Sequence, residues 1–188
     1  SSLYMYSIKS NLQEKIAFLK LKSGDSDAFA FFYDKYVTRI YRFVYIRTSN
    51  QQTAEDLTQD IFLKVWQHLV DKRDIRSFQA FIFRIARNSI IDHYRLSNKQ
   101  ELPLDYVGDM VGSADEEEIK KLDKLIDADT LIREINKLKA QYQEVLALRY
   151  IEDLTIDEIA EVIQKDKRNV RVLIHRALNK LKEIVENK

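Results

Sequence analysis

Apolar residues return at three- and four-residue steps through most of the chain, the spacing that lines one face of an α-helix. Asn11 to Lys22 reads as a short amphipathic segment stopped by Ser23 and Gly24. Asp25 or Asp27 can cap a second helix, in which Phe29, Phe32, Tyr33, Tyr36, Ile40, Phe43 and Val44 share a face. No polar ligand set accompanies those rings, so the stripe reads as core and not as a cofactor box. The spacing predicts a third helix over about Thr53 to Val70, with Leu57, Ile61, Phe62, Val65, Trp66 and Leu69 on the core arc. Asp56, Gln59, Asp60, Leu63, Lys64 and Gln67 fall on the other arc. Ser77 caps a fourth predicted helix that reaches about Leu96, with Phe81, Ile82, Ile85 and Ala86 inward. On its opposite stripe lie Arg84, Arg87, Asn88 and Arg95, preceded in the connecting loop by Arg73 and Arg76.

The sharpest local pattern comes late. Thr155 to Glu158 is a capping box, in which a threonine hydroxyl and a glutamate carboxylate satisfy each other's backbone amides. It begins a short helix, Ile156 to Ile163. Gln164 and Lys165 make a tight connection, and Asp166 caps a longer helix with a core stripe of Val170, Leu173, Ile174, Ala177, Leu178, Leu181 and Ile184. A short helix, a tight turn and a second longer helix are the parts of a helix-turn-helix. Its outward arc holds Arg168, Arg171, Val172, His175, Arg176 and Asn179, and from Lys167 to Lys182 there are six Lys or Arg and no acid.

Composition narrows the fold. One Pro and three Gly in 188 residues leave too few turn formers for a sandwich or barrel, so an all-α protein is expected. The absence of Cys removes disulfides, thiolate metal sites and cysteine nucleophiles, and fits a reducing compartment. Charge is unevenly spread. Residues 1–96 hold 17 of the 20 aromatics and a net charge of +5; residues 97–127 carry −5 with Pro103, Gly108 and Gly112; residues 128–188 carry +1. We therefore expect two small helical domains, 1–96 and 128–188, joined by a flexible acidic linker over 97–127. Asp115 to Ile126 could form a short helix with i,i+4 pairs, or be a solvated acidic run. No apolar run reaches the roughly 18 residues of a membrane span, and Ser1 to Ser10 lacks the basic and apolar regions of a secretory signal, so membrane insertion is not expected and the cytoplasm is.

Three surfaces carry candidate chemistry. Leu63, ringed by Asp56, Gln59, Asp60 and Gln67, forms either a docking patch for a basic, partly apolar partner or a solvated face with one stray leucine. The fourth-helix arginines, interleaved with Phe78, Phe83 and Tyr94, suit a nucleic-acid strand; surface charge over core rings gives the same composition. The last helix suits a major groove, where side chains read base edges and cations hold phosphates. Catalysis finds no support. His68, His93 and His175 form no His-x-x-x-His pair, Gly-rich phosphate loops are absent, and the acids at 55, 56 and 60 lack a histidine to complete a metal site. No cofactor, metal or small-molecule substrate is expected.

Two blocks resemble a known family. Ala54 to Trp66 (AEDLTQDIFLKVW), followed by Phe81 to Asn88 (FIFRIARN) with Ile91, Asp92 and Arg95, is similar to region 2 of bacterial sigma factors of the extracytoplasmic-function type, as are Gly24-Asp25 and Ala28-Phe29 before them. Leu146 to Ile163, with Val170-Arg171 and Ile174 to Ala177, resembles region 4. The resemblance implies a dissociable, non-enzymatic subunit of RNA polymerase, with core polymerase and promoter DNA as partners and an anti-sigma factor as a further one. It implies that the helix holding Asp56, Gln59, Asp60, Leu63, Lys64 and Gln67 docks on the coiled coil of the largest polymerase subunit. It implies that Arg73, Arg76, Arg84, Arg87, Asn88 and Arg95 serve the minus-ten element and its melting. Lys167, Arg168, Arg171, Val172, His175, Arg176 and Asn179 would then read the minus-thirty-five element, while the linker threads through the polymerase. The chain departs from the family at Gln164, where the turn often has Gly, at Ala140, where Pro is common, and at Val172-Leu173, which replace a polar or basic pair. A stand-alone helix-turn-helix regulator would account for residues 128–188 but not for the face from Asp56 to Trp66.

Overall fold

Gly24 and short polar caps set the punctuation among the described residues, and helices fill most of what lies between. The computed structural model describes residues 2–71, 75–97 and 127–187, and every regular element among them is helical. The elements are α1 (Ser2–Lys22), α2 (Ser26–Thr48), α3 (Gln51–Val70), α4 (Phe78–Leu96), α5 (Ala128–Glu134), α6 (Ala140–Leu146), α7 (Ile156–Ile163) and α8 (Lys167–Glu186). A 3-10 turn, Ile135–Lys137, follows α5, and a π-helical turn, Ala147–Ile151, continues α6. Helix α1 starts well before Asn11, because residues 2–10 contain no Gly or Pro to interrupt it. The segment Asp115–Ile126, open between a short helix and a solvated acidic run, lies outside the described residues, as does nearly all of the acidic segment.

Side-chain caps fix the starts. Asp25, not Asp27, caps α2 by accepting from the Asp27 amide at 2.9 Å. Asn50 caps α3 through the Thr53 amide at 2.8 Å, Ser77 caps α4 through Ala80 at 3.2 Å, and Asp166 caps α8 through Asn169 at 2.8 Å. Gly24 has φ 91°, a left-handed conformation that a side chain resists, and it reverses the chain between α1 and α2.

Helix α2 is the hub of the first half, packed by α1, α3 and α4. Phe32 and Phe78 meet with ring centroids 4.1 Å apart, Tyr36 lies 5.3 Å from Phe78, and Phe43 meets Phe83 edge-on at 5.5 Å. The Tyr36 hydroxyl donates to Glu14 at 2.7 Å; burial first, and the Glu14 charge second, hold its pKa above the ordinary tyrosine value. Helix α4 is covered on both sides, by α2 and α3 on one and by α7 on the other, so the buried residues of α1–α4 and α5–α8 join in one apolar cluster.

The π-helical turn redirects the chain at the join. Glu152 donates its amide to the Ala147 carbonyl and Leu154 to Leu148, both at 2.9 Å, which is a wider loop than an α-turn closes. That widening brings the Glu152 side chain against α2, and Asp153 at φ 56° then turns the chain into α7.

Ala140 is the first residue of α6, and the preceding Lys139 is extended at φ −60°, ψ 149°. A first-turn amide needs no helical partner, and an extended residue accommodates a following proline. Ala140→Pro is expected to stabilise the protein by about 0.4–1 kcal/mol through the unfolded chain, raising the thermal midpoint by about 1–4 °C in a calorimetric scan.

Candidate polymerase and nucleic-acid interfaces

Helix α3 buries Ala54, Thr58, Ile61, Phe62 and Val65 and presents the opposite face outward. Leu63 is 62% exposed, as the sequence pattern indicates, with Asp56, Gln59 and Gln67 exposed around it. Asp60 pairs with Lys64 at 2.7 Å, and Lys64 also donates to Ser89 of α4 at 3.0 Å. Trp66 corrects the sequence reading. It was expected on the core arc, yet it is 37% exposed, with its ring held edge-on by Phe29 at 4.9 Å. Val70, 61% exposed, continues the same line. Leu63, Trp66 and Val70 therefore form an apolar ridge at three- and four-residue steps, flanked by acids and amides. The spacing from Leu63 was the signal for the other two; helical phase put Trp66 on the core arc, but its ring lies at the edge of that arc against Phe29 and remains partly exposed.

The arginines of α4 are not all free. Arg76, Asn88 and Arg95 are exposed, and Arg73 lies outside the described residues. Arg84 is half-buried, 4.0 Å from Glu161 of α7. Arg87, expected on the outward stripe, is only 8% exposed; its Nε donates to Glu144 of α6 at 3.1 Å. The helical face was read correctly, but that face is covered by the second half of the chain. Phe78 and Phe83 are core, and the half-buried Tyr94 donates its hydroxyl to the Arg47 carbonyl at 2.8 Å, so these rings hold the fold together and do not wait for bases.

The helix-turn-helix forms as its sequence indicates. Thr155 accepts from the Glu158 amide at 3.2 Å and Glu158 accepts from the Thr155 amide at 2.9 Å, closing the capping box of α7. Gln164 ends α7 at φ 56°, the left-handed geometry for which glycine is best suited. On α8, Lys167 and Arg168 are exposed, and Lys167 pairs with Asp157 at 2.9 Å. Arg171, His175, Arg176 and Asn179 are half-buried, with the Asn179 amide 3.3 Å from the His175 ring. Val172 departs from the sequence reading: expected to face outward, it is 4% exposed although it lies on the far side of α8 from the core stripe and outside the shared apolar cluster. A covered valine gains burial free energy and is not available to a thymine methyl. Among the described residues no His/Asp/Glu group could hold a metal ion, and no helix is long and apolar enough to cross a membrane.

Residues that sequence reasoning did not single out, Arg39, Arg42, Arg47 and Glu144 among them, tie the two halves together. Glu152, fully buried, accepts from Arg42 Nε at 2.7 Å, Arg42 Nη2 at 2.9 Å and Arg39 Nε at 3.1 Å, and its backbone carbonyl accepts from Arg39 Nη2. The bonds to Glu152 raise the Arg42 pKa above its ordinary value. Glu144, 3% exposed, takes Arg87 at 3.1 Å and Arg47 at 3.5 Å, both on Oε1, leaving the buried Oε2 without a hydrogen-bond partner. Glu158 also accepts from Ser77 Oγ at 2.9 Å and Gln79 Nε2 at 3.2 Å.

Residues 32–100 match Sigma-70 region 2, and residues 128–181 match Sigma-70, region 4. Two such regions in this order, one supplying the α3 ridge and the other a capped helix-turn-helix, define a sigma factor of the sigma-70 class. SigW, an extracytoplasmic-function (ECF) sigma factor of Bacillus subtilis (strain 168), is 31% identical over 179 residues, covering 87% of this chain and 92% of SigW. YlaC of the same organism is 30% identical over 152 residues, 80% of this chain and 88% of YlaC. BldN of Streptomyces coelicolor is 31% identical over 170 residues, and there the chain spans only 63% of the relative's length. The chain belongs to the ECF sigma factors, which direct RNA polymerase to specific promoters at transcription initiation. Its fold is also that of CnrH in complex with the cytosolic domain of CnrY (TM-score 0.67, 23% identity, 93% of this chain and 98% of that one). The sigma factor RpoE from Bartonella quintana, solved with the anti-sigma factor NepR, matches with TM-score 0.60 and 22% identity over 84% of this chain and 96% of that one.

The double duty of Glu158 makes a stability prediction. Thr155→Ala removes one cap and is expected to cost about 1 kcal/mol. Glu158→Ala removes the other half of the box together with the acceptor for Ser77 and Gln79, so its thermal midpoint should fall further than that of Thr155→Ala.

Proposed function

We propose that the work of initiation is divided among three surfaces, on modules spanning 1–96 and 128–188 with 97–127 as the tether between them. The α3 face of Asp56, Gln59, Asp60, Leu63, Lys64 and Gln67, extended by Trp66 and Val70, docks core polymerase. The α4 side, with Arg73, Arg76, Arg84, Arg87, Asn88 and Arg95, holds the separated minus-ten strand. Helix α8, with Lys167, Arg168, Arg171, His175, Arg176 and Asn179, reads the minus-thirty-five element, Val172 serving packing instead. The observation that carries this reading is the exposed apolar ridge of α3 on the same chain as a capped, basic helix-turn-helix. A stand-alone regulator would leave that ridge without a purpose. The protein acts without catalysing a reaction of its own, in the cytoplasm, where polymerase and promoter are. The RpoE structure solved with the anti-sigma factor NepR supports an anti-sigma factor as a further partner.

Truncating an apolar anchor at the centre of an interface costs about 2 kcal/mol or more, roughly thirtyfold in affinity. Leu63→Ala combined with Val70→Ala should weaken core-polymerase binding by at least that factor in a fluorescence anisotropy titration. Because both side chains are exposed, the circular dichroism spectrum and thermal midpoint should stay near wild type. Unaltered affinity would remove α3 as the docking face.

The two DNA surfaces separate in a second experiment. Arg171→Ala should cost about 1–3 kcal/mol of upstream discrimination if the side chain reads a base, while opening of the start region proceeds once the complex forms. Arg84→Ala with Asn88→Ala should impair opening, read as permanganate reactivity of unpaired thymines, more than closed-complex formation. A pre-melted promoter bubble should rescue the second variant and not the first; the reverse pattern would exchange the two assignments.

A further inference from the structure

The first half of the chain presents five arginines to the second: Arg39, Arg42 and Arg47 from α2, and Arg84 and Arg87 from α4. Each meets a carboxylate contributed by residues 144–161. Arg39 and Arg42 share Glu152, Arg47 and Arg87 share Glu144, and Arg84 faces Glu161. Five guanidiniums gathered against one neighbouring surface repel one another unless anions hold them, and each offers donors in the planar fork that fits a carboxylate or a phosphate equally well. Two of the five, Arg84 and Arg87, belong to the strand-holding surface of the proposed function. The other three continue it onto α2, where neither the charge pattern nor the family resemblance assigns them a role.

We propose that Arg39, Arg42 and Arg47 extend the strand-binding face onto α2 as phosphate contacts, and that Glu144, Glu152 and Glu161 occupy this face as stand-ins for phosphates when no DNA is present. Closure of the second half onto the first and binding of single-stranded DNA are then mutually exclusive. Two features favour exchange over a permanent joint. Buried ion pairs contribute little net stability, because the attraction is offset by the cost of removing both charges from water. The Glu144 carboxylate is also incompletely satisfied, with both guanidiniums on one oxygen and the other buried without a hydrogen-bond partner. A phosphate backbone that takes over the arginines releases that carboxylate to water, where it regains its hydrogen bonds.

This inference rests on the strand-holding role of α4, and the experiment separates the two. The chain contains no native Cys, so Gln52→Cys and Lys180→Cys, both on exposed positions, carry a pair of spin labels that report the distance between the halves in the 188-residue chain. The probe ligand is a fluorescent 15-nucleotide single-stranded DNA. Glu144→Gln with Glu152→Gln should lengthen the label distance and tighten DNA binding at least tenfold relative to a control, Glu183→Gln with Glu186→Gln, that makes the same change in net charge on the tail of α8. Arg39→Ala with Arg42→Ala in the opened background should abolish the gain. Adding the DNA to the otherwise wild-type labelled chain should lengthen the distance as well, a readout that does not depend on any substituted carboxylate.

Binding of DNA with no change in distance overturns the inference, as does an opened variant that binds no better than the charge control. A gain that survives loss of Arg39 and Arg42 but vanishes with Arg84→Ala and Asn88→Ala overturns the α2 extension while leaving the strand-holding role of α4 intact. A gain indifferent to both pairs of substitutions removes α4 from the strand-binding face and the extension with it.

Discussion

The Glu144 carboxylate, wedged between Arg47 of α2 and Arg87 of α4, is the contact on which the arrangement of this molecule turns. It lies on α6, and both guanidiniums come from the other half of the chain. Once it is in place, the π-helical turn after α6 can deliver Glu152 to Arg39 and Arg42, and the chain reversal at Asp153 lays α7 along α4. Helix α4 thereby becomes a central element and not a surface one, with Phe81, Ile82, Ile85, Ala86 and Ile90 all buried. The same contact decides which basic residues of the first half meet solvent. Arg76 and Arg95, beyond its reach at the two ends of α4, are exposed; Arg87 is not.

Most of the local structure was legible in the sequence because its causes are local. A cap, a left-handed turn residue or an amphipathic stripe acts within four residues, and Ser77, Asp166 and the Thr155–Glu158 box each formed as written. The exposed leucine at position 63 was legible for the same reason. What the sequence did not reveal is set by distant partners. Arg87 and Glu144 stand 57 positions apart, and Arg39 and Glu152 stand 113 apart. Neither periodicity nor composition distinguishes an arginine awaiting phosphate from one already paired with a remote glutamate. Trp66 and Val172 failed in opposite directions for one reason: helical phase reports which way a side chain points, and burial depends on what lies there. The net charges of the two halves, +5 and +1, likewise concealed that the acids of the second half are gathered where the arginines of the first half need them.

Ion pairs are a poor choice for a joint that must only be strong. Apolar residues of similar volume would hold two helical surfaces at least as well and would avoid desolvating charge. Charge becomes the better choice when the partner has to be exchanged. The joint also has an apolar part, where α7 packs on α4 within the shared cluster, but at its charged contacts an arginine released from a carboxylate meets a phosphate with the same donors. The chemistry of the contacts at Arg39, Arg42, Arg47, Arg84 and Arg87 thus fits a surface with two alternative anionic occupants. Aromatic anchoring supplies the permanence that the ion pairs lack. Phe32, Tyr36 and Phe78 bind α4 to α2 within the first half, where no exchange is needed.

The proposed exchange requires each half to stay folded when the two part, and the caps at the join permit this. Ser77 uses its hydroxyl oxygen to accept from the Ala80 amide, and donates its proton to Glu158 Oε1. Glu158 accepts that hydrogen bond on Oε1, while Oε2 accepts from the Thr155 amide and hydroxyl and from Gln79 Nε2. Parting the two surfaces removes the bonds from Ser77 and Gln79 to Glu158, and water replaces them at each end. The cap of α4 and the capping box of α7 are both retained, because each depends on atoms of its own half. Local hydrogen bonds fix where every helix begins, and the contacts between halves are added to helix ends already satisfied. The starts of α4 and α7 therefore do not depend on the closed arrangement, although α7 also packs on α4 across the join.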